Sequence, residues 1–334
     1  MTTVRGVLDT ETAAQNAVKD CVTLQCLACN APLGALTLKG EDASSYDCSR
    51  CRHKMVRTNG IWHSVPAARL AYFSHFIDDY QQIRAAEGRG SLDSEFYRQL
   101  PYKDVSGKNR WQWQIRARTY DHLRKEVLSP IFNEMNYRPR VLDIGAGNGW
   151  MSYRLALDGY LPVAADLLIN DLDGLGAAVH FSGPLGSLFP RVRAEMSRLP
   201  FAAEQFDAIV FNASFHYAEN YHSVLREAFR CVRSGGRVVI ADTPWYSSES
   251  AGQQMLAERR VAFSHKFGVA SDSIRSLEYL TDERLRGLEC ALNIQWEQTT
   301  PNYGLEWALR PLVAKLRGKR EPSRFRIYSA RKAA

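Results

Sequence analysis

The sequence predicts an α/β fold, a doubly wound and mostly parallel sheet of the Rossmann-like kind, preceded by a small N-terminal metal ribbon and a helical segment. Three observations predict it. Strand-like and helix-like stretches alternate from Arg140 onward, which implies parallel strands joined by right-handed crossovers. The first of these strands runs into a glycine-rich turn, "VLDIGAGNGW", Val141 to Trp150. Two C-x-x-C pairs lie close together near the N-terminus.

Taken in chain order, the sequence divides into a leader and ribbon at 1–66, a helical part at 67–138 and the alternating part at 139–334. Residues 1–20 are poor in apolar side chains and read as a leader, either mobile or a helix lying on the ribbon. Cys26 and Cys29 form one pair, Cys48 and Cys51 the other, with 18 residues between the pairs. This spacing lets two knuckles offer four thiolates to one zinc ion. Four thiolates leave no open coordination position, so the ion is expected to be structural, and chelation to unfold the ribbon before the rest. Disulfides are disfavoured in the cytoplasm, which is the expected compartment. Cys231 and Cys290 read as core residues.

In the helical part, Arg110 to Leu128 contains no Gly or Pro and carries Ile115, Leu123 and Val127 at helical spacing. Beyond Pro139, "RVLDI" reads as a strand and "WMSYRLALDGY" as a helix. "LPVAAD", "RVRAEM", "FDAIVFNA" and "RVVIAD" read as further strands, and "ENYHSVLREAFRCVRSGG" as a helix with a glycine stop.

Composition adds bounds. Hydrophobic residues make up 45% and charged residues 24%, an ordinary globular balance. No apolar run is long enough to span a membrane, and the N-terminus lacks the apolar segment of a secretory signal. The net charge of +7 permits nucleic-acid binding without requiring it. The densest basic stretch, "KLRGKREPSRFRIYSARK", is expected to be a solvated surface.

The glycine turn narrows the ligand. Its glycines fall as G-x-G-x-G, and Trp150 stands where a dinucleotide fingerprint needs a third glycine to pack on the strand. No G-K-[ST] follows, which excludes a phosphate loop of the Walker type. Asp143 places a carboxylate beside the ligand, suited to a cation. Asp166 ends the second strand, 21 residues beyond Gly145, where it can accept two ribose hydroxyls. A nucleoside with cationic groups and no phosphate fits, and S-adenosylmethionine is one.

On these residues the sequence resembles the class I S-adenosylmethionine-dependent methyltransferases, in particular the methyltransferase type 11 group, over residues 139 to about 245. The motifs are "VLDIGAGNG", Asp166 in "VAAD", "AEMSRLPFAAEQFDAIVFN" and "REAFRCVRSGGRVVIAD". The resemblance implies a seven-stranded sheet and a cofactor site made by Asp143, Gly145, Ala146, Gly147, Asp166, Leu167, Glu195, Met196 and Asn212. Glu195 would accept from the adenine amino group and Met196 would offer its backbone N–H. His216 and Tyr217, after the fourth strand, are the candidate catalytic residues, His216 as a general base or as a residue packed against the cofactor. Tyr102, Trp111, Trp113, Arg116 and Tyr120 are candidates for a helical lid over the acceptor. The ribbon resembles the zinc-ribbon family related to the tRNA-methyltransferase activator.

Three functions stay open at this point. The first is methyl transfer to a small-molecule or lipid-like acceptor under the lid, with no membrane-spanning segment. The second is methylation of a ribosomal or transfer RNA base, gripped by the ribbon and basic tail. The third is a non-catalytic binding module.

Overall fold

The computed structural model describes residues 21–38, 43–133, 135–270 and 272–333; the leader lies outside these residues. The chain begins with a hairpin, β1 (Cys21–Gln25) and β2 (Pro32–Thr37), then β3 (Ser45–Asp47), β4 (Lys54–Thr58) and β5 (Ile61–His63). Three helices follow: α1 (Ala67–Ala86), α2 (Ser94–Gln99) and α3 (Arg110–His122), which widens into a π-type turn over Leu123–Leu128. The alternating part comprises β6 (Arg140–Ile144), α4 (Trp150–Leu157), β7 (Leu161–Asp166), β8 (Arg191–Arg193), β9 (Phe206–Asn212), α5 (Tyr221–Cys231) and β10 (Val232–Ala241). Then come α6 (Glu249–Phe267), α7 (Asp282–Leu292), β11 (Glu297–Thr299), α8 (Leu305–Leu316) and β12 (Ile327–Arg331).

Strands β3 to β12 form one sheet in the order β11-β12-β10-β9-β6-β7-β8-β5-β4-β3. The strands from β6 to β10 pair parallel, and β12 pairs antiparallel with β10. β7 and β9 are buried along nearly their whole length because their sequences, LPVAAD and FDAIVFN, are apolar on both faces. Strand order reverses between β6 and β9. That is the switch point where a parallel sheet opens a crevice beyond its carboxyl ends.

Two features depart from the reading of the sequence. The basic tail is not all solvated surface, since β12 is an inner strand with Ile327, Tyr328 and Ala330 buried. Its arginines conceal the strand pattern, because Arg326 stacks on Trp245 and Arg331 donates to Gly235 O. The ribbon, in turn, continues the main sheet. β5 pairs parallel with β8, Trp62 opposite Val192, so three ribbon strands extend the seven of the alternating part. The hairpin β1–β2 docks through Gln25 N–H to Pro200 O and Ala202 N–H to Thr23 O. Val22, Leu24, Leu36, Met55 and Trp62 share one apolar core with Leu142, Val163 and Phe206. With a core in common, the ribbon and the sheet gain their burial together, so separate unfolding of the ribbon no longer follows.

Candidate functional site

The glycine turn is built to admit a ligand. Gly145 has φ 74°, and a Cβ there would meet the Ser214 Cβ at 2.2 Å, so only glycine fits. The N–H groups of Gly145 and Ala146 donate to Ala165 O at 2.8 and 3.2 Å, which ties the turn to the end of β7. Asp166 holds it from the other side, accepting from Gly147 N–H at 2.7 Å and Leu168 N–H at 2.8 Å. Burial nevertheless raises this carboxyl to about 6. Asp143 is 1% exposed, accepts from Ser152 Oγ at 2.8 Å and is pushed by burial to about 7. Two neighbouring carboxyls destabilised as anions form a place where a ligand cation is favourable.

These residues line a cavity of about 300 Å³ beyond the ends of β6, β7 and β9. Leu167, Glu195, Met196 and Asn212 line it too, so the structure places all nine candidate cofactor residues in one wall. The Asn212 side-chain oxygen is buried there without a hydrogen-bond partner. Glu195 is engaged by Arg69, whose Nε and Nη2 donate at 2.9 and 2.6 Å, and by Ser197 Oγ at 2.8 Å.

The roof comes from α1. Arg69, Phe73, Phe76, Tyr80 and Arg84 line the cavity, and their spacing of four, three, four and four residues puts them on one helical face. Phe76 and Tyr80 lie 6.0 and 5.7 Å from the Tyr217 ring, an aromatic cluster suited to a cation. The sequence carries this signal in the aromatic spacing of α1, apart from the lid candidates beyond residue 100. Of those, Trp113 lines the cavity and meets Trp150 edge-on at 5.9 Å. Arg116 lines it as well. Tyr102 and Tyr120 lie outside it: their hydroxyls donate to Asp121 and Asp158, and Tyr120 packs on Trp150.

A second cavity of about 420 Å³ adjoins the first, and Tyr80, Arg84, Arg116, Ala213 and Tyr217 line both. Trp111 and His216 line the second only. His216 Nδ1 is buried without a partner, and burial lowers the imidazole to about 4, so it is neutral. Tyr217 is held as the phenol, because burial raises it. Asp242, at the end of β10, is a further functional candidate that the sequence reading passed over. Its Oδ1 accepts from Thr119 Oγ1 at 2.6 Å, its Oδ2 has no partner, and burial raises it to about 6. The signal was its place, an acid closing the apolar strand "RVVIAD" on the crevice side.

In the ribbon, Cys26, Cys29, Cys48 and Cys51 gather with all four sulfurs within 4.8 Å of one another. The Cys26–Cys51 and Cys29–Cys48 separations are 3.6 and 3.5 Å. These are too long for disulfides at about 2.05 Å. They match the spacing of thiolates about 2.3 Å from a shared tetrahedral zinc.

Residues 142–240 match the family model described as "Methyltransferase domain". This part of the chain is a class I methyltransferase domain. Demethylmenaquinone methyltransferases of Mycobacterium sp. (strain KMS) and Mycobacterium tuberculosis (strain H37Rv) are 33% and 32% identical to the chain over 103 residues. Each match covers 31% of this chain, and the chain spans about two fifths of the length of these relatives. Among solved structures, phosphoethanolamine N-methyltransferase 2 of Haemonchus contortus superposes with a TM-score of 0.44 at 13% identity, covering 73% of this chain and 61% of that one. Among the described residues, no helix is long and apolar enough to cross a membrane.

Proposed function

We propose that the chain transfers a methyl group from S-adenosylmethionine to a small-molecule acceptor. The observation that carries this reading is the pair of adjoining cavities, one walled by the glycine turn and its acids, the other reaching it past Tyr80, Ala213 and Tyr217. S-adenosylmethionine would supply, when bound, a methyl group that a well-placed lone pair can take up as the carbon–sulfur bond breaks and the neutral thioether leaves.

The residues fit such a group. Asp143 and Asp166 favour its positive charge and its ribose hydroxyls, Asn212 has a free buried oxygen, and Leu167 and Met196 offer apolar surface for adenine. The chain's own contribution to the reaction is placement and exclusion of water by α1. Where the acceptor atom carries a proton, Asp242 is the better general base in the second cavity. At about 6 it lies nearer neutral pH than His216 at about 4, and its Oδ2 is free to accept.

The four cysteines are proposed to hold one structural zinc ion. A labelled methyl donor offered side by side to cell RNA and to a small-molecule extract tests the acceptor class. Label in the small-molecule fraction is the expected result, and label confined to RNA overturns it. Metal analysis of protein prepared without chelator is expected to find one zinc per chain.

A further inference from the structure

The second cavity is rich in cations. Five arginines line it, Arg84, Arg89, Arg116, Arg259 and Arg310, against two acids, Glu87 and Asp242. Three of the five are neutralised. Arg84 bonds Asp173 at 2.5 Å, Arg89 bonds Glu87 at 3.0 Å, and Arg259 bonds Glu278 at 2.7 Å. Arg116 and Arg310 make no ion pair among the described residues; each rests instead on an indole, Trp113 at 4.8 Å and Trp307 at 3.9 Å. Burial lowers the pKa of both guanidinium groups, the mark of cations held away from water without a full counter-charge.

Two of the paired arginines also keep an unpartnered nitrogen beneath the cavity wall. Arg89 Nη1 and Arg259 Nε are buried without partners. Leaving a buried donor of a charged group unmet costs more than a typical neutral hydrogen bond contributes. Two cations, Arg116 and Arg310, thus stand in one cavity without an ion-pair partner among the described residues. Its remaining wall is flat and aromatic: Trp307 and Phe325 stack at 5.4 Å, with Trp111 beside them at 6.4 Å. A volume of about 420 Å³ accommodates a two-ring molecule.

We infer that this cavity binds a flat apolar molecule carrying an anionic oxygen group, which Arg116 and Arg310 hold. The inference rests on the proposed methyl transfer and names the class of its acceptor. Carboxylate and phosphate share the chemistry that these arginines recognise, since guanidinium groups pair with either through two parallel hydrogen bonds.

The test is calorimetry with 2-naphthoate, its neutral amide 2-naphthamide and 2-naphthyl phosphate, on the full chain saturated with S-adenosylhomocysteine and on the free chain. The acid is expected to bind at least about tenfold more tightly than the amide, the value of one hydrogen bond to a charged group. Arg116→Gln and Arg310→Gln are each expected to abolish most of that preference while leaving amide binding unchanged. Arg310 is partly exposed and does not line the first cavity, so its variant is expected to keep the fold and the first cavity in place. Tighter binding of the phosphate assigns the group to phosphate esters, and tighter binding of the acid assigns it to carboxylates. Equal affinity for acid and amide overturns the inference, as does a preference that survives both variants. If S-adenosylhomocysteine itself fails to bind, the methyl-transfer reading falls, and the preference measured on the free chain still decides the chemistry of the cavity.

Discussion

Asp166 is the residue on which the cofactor reading turns. It is tied to the backbone on both sides of the crevice, by Gly147 and Leu168, so its carboxylate is positioned before any ligand arrives. Asp166→Ala removes the acceptor for two ribose hydroxyls, and hydrogen bonds to a charged group contribute about 1.5–3 kcal/mol. The affinity for S-adenosylmethionine is expected to fall at least about tenfold. Calorimetry on the folded variant checks this, and unchanged affinity removes Asp166 from the site. Asp242 differs in kind, because it lines the second cavity and keeps one oxygen without a partner. Asp242→Asn is expected to lower kcat about 10²-fold or more for an acceptor that must lose a proton, while cofactor affinity stays within a few-fold. The places of single residues were legible in the sequence where a motif fixed them, as for Asp143 and Asp166, which line the first cavity beside the glycines. They were not legible for Asp242, whose meaning comes from one unpartnered oxygen that only the packed structure creates.

At the scale of elements, the ribbon and α1 act together. β5 is hydrogen-bonded into the sheet beside β8, Ser64 Oγ bonds Arg193 O at 2.7 Å, and α1 starts three residues later under Pro66. The cysteine cluster thus belongs to the same ribbon as the strand that leads into the roof. The Arg69–Glu195 pair clasps the first turn of α1 to the loop after β8. Because the ribbon shares its core with the sheet, removing zinc by Cys48→Ser is expected to lower the melting temperature of the whole chain in one transition. Two resolved transitions by calorimetry, with the catalytic part unshifted, show that the ribbon is independent. Phe76→Ala opens the roof beside Tyr217 and is expected to slow turnover more than it weakens cofactor binding, read as kcat against the S-adenosylmethionine affinity. The strand and helix order was legible from the alternation of apolar runs. The joining of ribbon to sheet was not, since edge pairing between β5 and β8 leaves no local trace in either three-residue strand.

For the whole molecule, the buried carboxyls of the crevice make stability depend on pH and on ligand. Asp143 is raised from 3.8 to about 7, and Asp166 and Asp242 from 3.8 to about 6, in each case first by burial. A raised carboxyl keeps its proton in the folded chain after losing it in the unfolded one. Its contribution is fully present below 3.8 and is lost as pH rises through the folded value. His216 works the other way: lowered from 6.5 to about 4 by burial, it contributes above 6.5 and loses that contribution as pH falls. The two effects oppose one another between about 4 and 6.5. Above that range the titration of His216 nears its end, and Asp143 is the group among these with the most proton left to lose. The free chain is therefore expected to lose stability between pH 6.5 and 8. A bound sulfonium and ammonium offset the ionised carboxylates, so the rise in melting temperature on adding S-adenosylmethionine is expected to grow over the same interval. Asp143→Asn is expected to flatten both curves, and to stabilise the free chain at pH 8 while weakening its affinity for the cofactor. Thermal melts across this interval, with and without the ligand, check the expectation. A ligand-induced rise that is the same at pH 6.5 and pH 8 in the unaltered protein removes the positive charge from the neighbourhood of Asp143, and with it the electrostatic reason for placing the methionine end of the cofactor there.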